Sequence, residues 1–224
     1  MWLLDLGRQE YRAVWELQRE LLRRRAGEEL PDLLILVEHP HTITYGRSLR
    51  QASDPVPFRD TVPVYEVDRG GQATYHGPGQ LVGYPIIKLE GERRDLHRYL
   101  RDLEALLIGG LSDFGIQADR RTGYTGVWVP PLPEWRKIAS IGVGVRQWVT
   151  YHGFALNVTT DLNYFRLIEP CGLDARLITS IAQLVGEVGM DTVKDRVTVW
   201  FASVFRTQLI SVEVADVAGD LVKP

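Results

Sequence analysis

Two rhythms of hydrophobic and polar positions run along the chain, and the points where one gives way to the other mark its elements. Residues 2–6 are a short apolar stretch that reads as a strand. From residue 11 to 26 the period lengthens. Tyr11, Val14, Trp15, Leu17, Gln18, Leu21 and Leu22 recur at helical spacing, while Arg8, Arg12, Glu16, Arg19, Glu20, Arg23, Arg24 and Arg25 supply a solvated face. Residues 33–38 are apolar almost without a break, have strand length and are bounded by Pro31 and Pro40, which predicts a central strand. His39 and His41 follow; with no third ligand at fitting spacing nearby, they read as loop rather than metal site.

The rhythm breaks at residues 69–89, RGGQATYHGPGQLVGYPIIKL, the densest cluster of glycines and aromatics in the chain. Residues 62–67 alternate as a strand that ends at Arg69-Gly70-Gly71, where two residues without a Cβ let a partner approach the backbone. Residues 74–76 read as a second short strand, and Gly77-Pro78-Gly79 as a reversal into a third over residues 80–89. Two readings stand side by side. In one, the glycines only satisfy turn geometry; in the other, Arg69, exposed amides and His76 converge on one spot.

Beyond this stretch, residues 94–114 predict a helix with Leu96, Leu100, Leu103, Leu106, Leu107 and Leu111 as its buried stripe and Gly115 as its stop. Gly109-Gly110 is expected to weaken its last turns. A short strand at 126–129 and a proline-rich loop at 130–133 lead to strands at 137–145 and 148–158. These form a hairpin turning near Arg146-Gln147, so Lys137 and His152 ride on paired strands. Residues 161–170 read as loop, 179–185 as a short helix capped by Thr or Ser, and 190–209 as a final amphipathic helix capped by Asp191 or a neighbour. Hairpins together with segregated helices predict an α+β fold with a mixed, largely antiparallel sheet flanked by helices, one domain over residues 1–224. No P-loop or dinucleotide fingerprint occurs, so a phosphate cradle has little support.

Composition narrows the function. A chain of 224 residues, 45% hydrophobic and 25% charged with net charge -3, is in the globular range and offers no basic field for a nucleic-acid backbone. The opening MWLLDLGRQEYR is too short for a signal peptide or a membrane span, which predicts a cytoplasmic protein without membrane contact. A single cysteine excludes an internal disulfide framework and a multi-cysteine zinc site.

That leaves Lys137, Cys171, His76 and His152 as candidates for chemistry. Cys171 lies between Pro170 and Gly172, where the following backbone N–H groups, Gly172's included, suit a substrate oxyanion and hence acyl transfer. A thiol of ordinary pKa, about 8.5, is only slightly ionised at neutral pH, so a nucleophilic Cys171 needs Lys137 or a histidine beside it. Taken alone, Cys171 is equally a buried inert thiol, Lys137 a solvated strand end and His152 a structural hydrogen-bonder.

In order and spacing, the segments LLILVEHPHTITYGR, RGGQATYHGPGQLVGYPIIKL, KIASIGVGVRQWVTYHGFALNV and FRLIEPCG resemble the octanoyltransferases of lipoic acid synthesis, and the resemblance runs nearly the whole chain. It implies the α+β fold shared with biotin and lipoate protein ligases. It also implies transfer of an octanoyl group from octanoyl-acyl carrier protein to a lysine of lipoyl domains, those of 2-oxoacid dehydrogenase complexes and the glycine cleavage H protein. It implies no cofactor and no metal. On this resemblance Cys171 of PCG is the thioester nucleophile, and Lys137 of KIASIG lowers its pKa and acts as general acid and base. The substrate-binding residues it implies are Arg69, Gly70, Gly71, Gln72, Ala73, Thr74, Tyr75 and His76, with Ser140, Ile141 and Gly142, and with Gly153, Phe154 and Ala155. His152 and Gly172 are supporting candidates. Three other readings make different predictions. An ATP-dependent lipoate or biotin ligase would exchange pyrophosphate into ATP; a cysteine hydrolase using Cys171 with His152 or His76 would release free octanoate; a non-catalytic lipoyl-domain or carrier binder would form no covalent adduct.

Overall fold

The apolar run at residues 33–38 is buried because both faces of its sheet are covered. The structure is a computed structural model that describes residues 1–49, 62–131, 134–169 and 174–218. In chain order the elements are β1 (Trp2–Arg8), α1 (Tyr11–Ala26), β2 (Leu33–Glu38), β3 (Thr42–Tyr45), β4 (Val64–Glu66), β5 (Ala73–His76), β6 (Gln80–Ile86), α2 (Leu96–Ser112), β7 (Asp119–Arg121), β8 (Tyr124–Val129), β9 (Arg136–Arg146), β10 (Val149–Asn157), α3 (Ile181–Val185), α4 (Met190–Phe205), β11 (Ile210–Ser211) and α5 (Val214–Ala218). Eight strands form one sheet in the order β11-β1-β2-β6-β10-β9-β8-β7; β1 pairs in parallel with β11 and β2, and every other neighbour is antiparallel. Along β2, Leu33, Ile35 and Val37 pack toward α1, while Leu34 and Leu36 join the core built on α2 and α4. A strand buried on both faces loses the alternation that a half-exposed strand shows. Among the described residues no helix is long and apolar enough to cross a membrane.

The three strands expected around the glycine cluster do not belong to one hairpin. β4 and β5 flank β3 in a separate three-stranded sheet, whereas β6 lies in the large sheet between β2 and β10. Gly77-Pro78-Gly79 therefore carries the chain from one sheet to the other. Gly79 adopts φ +77 and lies so close to Thr159 that a Cβ there would collide with it, while its carbonyl accepts from Val158, Thr159 and Thr160. Across the hairpin from β9 to β10, Gln147 and Trp148 take φ 51 and 60, the paired left-handed conformation of a type I′ turn.

Other departures are local. In α2 the buried face is Tyr99, Leu103, Leu106, Leu107 and Leu111; Leu96, placed in the stripe by its spacing, is 40% exposed because it is the first residue of the helix, after the Asp95 cap. Gly109-Gly110 does not fray the helix. It is where α4 approaches, with Trp200 occupying the space a Gly109 side chain would need. The last long helix ends at Phe205, where Arg206 takes φ 52, and β11 and α5 follow it. Residues 161–170 contain the 3-10 turn Leu162–Leu167. Part of the proline-rich loop at 130–133 lies outside the described residues.

Candidate active site

A cleft opens where the turn before β5 lies against β9 and β10. Its walls meet closely because side chains are missing from the sheet. Gly142 on β9 and Gly153 on β10 face each other in register, and a Cβ on Gly153 would collide with the Gly83 carbonyl oxygen of β6. A Cβ on Gly142 would stand 3.0 Å from the Gly70 carbonyl oxygen and 3.1 Å from Cδ of Arg69. The Gly70 amide donates to the Val143 carbonyl at 2.9 Å, so the close partner of the glycine turn is the chain's own β9.

Of the residues singled out in the sequence, Arg69, Gly71, Thr74, His76, Ser140, Ile141, Gly142, His152, Gly153, Phe154 and Ala155 line this cleft. Period-two alternation along β5 sorts the others. Thr74 and His76 border the cleft, whereas Tyr75 packs behind it with Ile43 and Phe165 and hydrogen-bonds His41 at 2.7 Å. Gly70, Gln72 and Ala73 build the turn and strand behind the lining, the Gln72 carbonyl accepting from Gly46 at 3.1 Å. Tyr11, Val82 and Tyr84 also line the cleft. By helical spacing Tyr11 reads as core, and Val82 and Tyr84 as ordinary strand positions; nothing in one sequence separates a cleft wall from a core wall.

Arg69 is the buried charge of the site. Its Nη2 donates to the Thr44 carbonyl and hydroxyl oxygens, both at 2.9 Å, and its Nη1 to the Gly70 carbonyl at 2.9 Å, tying the small sheet to the glycine turn. That positive charge lowers the pKa of Tyr11, His76, Tyr84 and His152 alike, although burial outweighs it for the two phenols, which are pushed up and stay protonated.

Hydrogen-bond polarity fixes the tautomer of His76. Asn157 donates through Nδ2 to the Thr179 carbonyl and accepts at Oδ1 from Gln80 Nε2, which also donates to the Tyr75 carbonyl, each at 3.0 Å. Gln80 Oε1 is therefore an acceptor, so Nδ1 of His76, 2.8 Å away, carries the proton and Nε2 is a bare acceptor. Burial first, then the neighbouring His39, holds His76 well below the usual histidine range. His39 is held differently, between the Gln9 carbonyl at 2.7 Å and the Tyr84 hydroxyl at 2.9 Å, so the two histidines around Pro40 serve separate partners.

His152 has a carboxylate partner. Its Nε2 lies 3.2 Å from Asp68 Oδ1, the Tyr151 hydroxyl donates to Asp68 Oδ2 at 2.7 Å, and the His152 backbone N–H donates to Gln18 Oε1 at 2.9 Å. The hydrogen bonds from His152 and Tyr151 hold Asp68 well below the usual carboxylate range, and burial lowers His152 despite Asp68.

Lys137 is 4% exposed, with Nζ 5.4 Å from the Trp128 ring centroid and Cε in the space left by Gly126. Its carbonyl accepts from Thr179 at 2.9 Å, and it bridges Ile178, so it is bracketed by residues that follow the segment containing Cys171. Cys171 and Gly172 lie outside the described residues.

Residues 10–202 match the family described as lipoyl protein ligase A/B catalytic domain. The octanoyltransferase of Gloeobacter violaceus is 47% identical over 207 residues, 92% of this chain and 90% of that protein. The octanoyltransferase of Syntrophotalea carbinolica is 45% identical over 216 residues, 96% of this chain and 99% of that protein. In fold, the chain is similar to a lipoate protein ligase of T. acidophilum solved with bound lipoic acid, with TM-score 0.76, 14% identity and coverage of 98% of this chain and 91% of that one. It is similar also to a lipoate-protein ligase A solved with ATP, with TM-score 0.73, 15% identity and the same coverage.

Proposed function

Because the chain belongs to the octanoyltransferases, within the lipoyl protein ligase A/B catalytic family, we propose that it transfers an octanoyl group, in the cytoplasm, from octanoyl-acyl carrier protein to a lysine of lipoyl domains. The acceptors are those of 2-oxoacid dehydrogenase complexes and the glycine cleavage H protein. The observation that carries this reading is identity of 44–48% to proteins of that activity over most of the chain. A glycine-floored cleft whose apolar wall includes Val82, Ile141, Phe154 and Ala155 supports it. Seven alkyl carbons buried there at about 0.8 kcal/mol each would contribute roughly 5–6 kcal/mol before ordering costs, enough to hold the chain.

The reaction runs in two halves. Lys137, as ammonium, favours the Cys171 thiolate, which attacks the incoming thioester; the carrier thiolate leaves and takes a proton from Lys137. Exchange of one thioester for another is nearly balanced, so this half needs little driving force. In the second half the lipoyl lysine arrives as ammonium, gives one proton to the now neutral amine of Lys137 and attacks the octanoyl-Cys171 thioester; the amide forms, the carbon–sulfur bond breaks, and the second nitrogen proton returns the thiol. Gly172 and its neighbours would supply backbone N–H groups to the oxyanion.

Intact-mass spectrometry after mixing the protein with octanoyl-acyl carrier protein tests the reading. One octanoyl group should appear on a peptide containing Cys171, be removed by hydroxylamine, and move to a lipoyl domain when that is added. An unmodified Cys171 during turnover, or exchange of pyrophosphate into ATP, would overturn it in favour of a ligase.

A further inference from the structure

Trp128 on β8 is fully buried, yet its Nε1–H has no hydrogen-bond partner among the described residues. A buried donor left unpaired destabilises a fold, and a phenylalanine would fill much of the same space without one. Something about the indole ring offsets that loss, and two cations point to what it is. β8 lies between β7 and β9, and each neighbouring strand brings one positive group to the ring. Lys137, the cross-strand partner of Trp128 on β9, places Nζ 5.4 Å from the ring centroid, and Arg121 on β7 places Cζ 4.9 Å from it. Both are within the roughly 6 Å over which an aromatic face attracts a cation, and indole attracts most strongly of the aromatic side chains. Arg121 is also 4.4 Å from the ring centroid of Tyr124, its own cross-strand partner, which meets Trp128 edge-on at 5.4 Å. The guanidinium is therefore seated by two rings, whereas the ammonium of Lys137, on a side chain shut away from water, has the indole as its aromatic neighbour.

From this ladder we propose that Trp128 is a positioning residue for Lys137, its ring holding the ammonium in place of the water that burial removes, while Arg121 draws on the same ring from the neighbouring strand and limits that hold. The proposal rests on the reading of Lys137 as general acid and base given above, in which the side chain passes between ammonium and amine in every cycle. Burial disfavours the ammonium, and a ring that attracts the cation counters this. A second cation on that ring works the other way, by repulsion and by competing for the same π face, so that the proton is held but can still be given up. Among the described residues, the charged groups on the elements around Lys137 are Asp119 and Arg121 of β7, Arg136 beside it on β9, and Glu104 of α2, which accepts from the Gly126 backbone N–H. Ile178 and Thr179, on its other side, are uncharged, and the turn before them carries Asp174 and Arg176, paired with each other.

The test reads Lys137 directly. The lysines of the chain are Lys88, Lys137, Lys194 and Lys223, so Nζ of Lys137 can be followed by NMR of the full chain with isotope-labelled lysine and assigned by the resonance lost in Lys137→Arg. Trp128→Leu is expected to lower the titration midpoint of Lys137 by about one unit, a tenfold change in the ratio of ammonium to amine. Trp128→Phe, which keeps a weaker ring, should lower it by part of that and serves where the leucine variant does not fold. Arg121→Gln should raise the midpoint. The pH dependence of octanoyl transfer to a lipoyl domain should move with the midpoint in each variant. A role for Trp128 in packing alone would change unfolding by urea but gives no reason for shifts of opposite sign. An unchanged midpoint in Trp128→Phe or Arg121→Gln, shifts of the same sign in the two, or a transfer profile that does not follow them overturns the proposal. Absence of any octanoyl-enzyme in the wild type would instead refute the octanoyl-transfer reading, on which the midpoints themselves do not depend.

Discussion

The setting of Lys137 is made by a residue that contributes no side chain. Gly126 takes φ +118, and a Cβ there would stand 2.6 Å from the Ala139 carbonyl oxygen and 2.8 Å from Cε of Lys137. If Lys137 serves the Cys171 thiolate, Lys137→Ala should raise the thiol pKa and slow its alkylation by iodoacetamide at neutral pH, about tenfold for each unit of rise. Lys137→Arg should restore only part, since the wider guanidinium must share the gap beside Trp128. Gly126→Ala, which leaves the lysine in place but occupies its space, should slow alkylation in the same sense. Alkylation rates unchanged in all three variants would remove Lys137 from the thiol's neighbourhood. At this scale the sequence announced residue types but not their company. Lys137, His76 and His152 stood out as chemistry, yet Asp68 was invisible, because its hydrogen bond to His152 spans 84 residues and follows no local period.

Helix α2 is coupled to the strand that shapes this site through one buried carboxylate. Glu104, fully buried, accepts from Arg101 at 2.5 Å, from Arg120 at 3.0 Å and from the Gly126 backbone N–H at 3.2 Å. Arg101 and Arg120 are 51% and 41% exposed and can hydrate if the carboxylate is lost, whereas the Gly126 amide is buried. Glu104→Ala should therefore cost about 1–3 kcal/mol, the price of a buried unpaired donor, in urea unfolding. Glu104→Gln, which keeps an acceptor for Gly126, should lose less; equal losses would show that the ion pairs, not the amide, carry the effect. The long elements were legible from pattern alone: α1 and β2 fall at the residues their periodicity predicts, and the hairpin of β9 and β10 turns one residue from its predicted place. The short ones were not. Thr42–Tyr45 does alternate, but four residues so soon after Pro40 are too few for the period to stand out; β7, three charged residues, and β11, only Ile210 and Ser211, have no period to read. The assignment of β4, β5 and β6 to two sheets was hidden for a different reason, since glycine turns report a reversal and not the partner on its far side.

Across the whole molecule, the cleft and its surroundings gather histidines that are neutral when folded, and this sets an acid limit on stability. Burial lowers His39 to about 4, with its hydrogen bond from ring to the Gln9 carbonyl opposing the shift only in part, while His76 is held well below and His152 below the ordinary value of 6.5. Unfolding frees these rings to take up protons, so the unfolded state binds more protons once the pH drops below about 6.5, and stability rises with pH in that window. The histidine contribution is complete above about pH 6.5 and is lost as the pH falls toward the folded value. For His39 alone, with about 2.5 units between 6.5 and 4 and about 1.4 kcal/mol per unit, the loss is on the order of 3 kcal/mol. Asp68 acts in another window. Its carboxyl is depressed, so its contribution is present above its ordinary 3.8 and disappears only as the pH falls further. Urea unfolding of the wild type at constant ionic strength should therefore lose stability steadily from about pH 7 to 4.5, before the carboxylates titrate. His39→Gln can keep a donor toward Gln9 and an acceptor toward Tyr84 without titrating, so it should be less stable near pH 7 yet have a flatter profile. If His39→Gln kept the wild-type slope, the acid sensitivity would belong to His76 and His152, and the same measurement on His152→Asn would divide it between them.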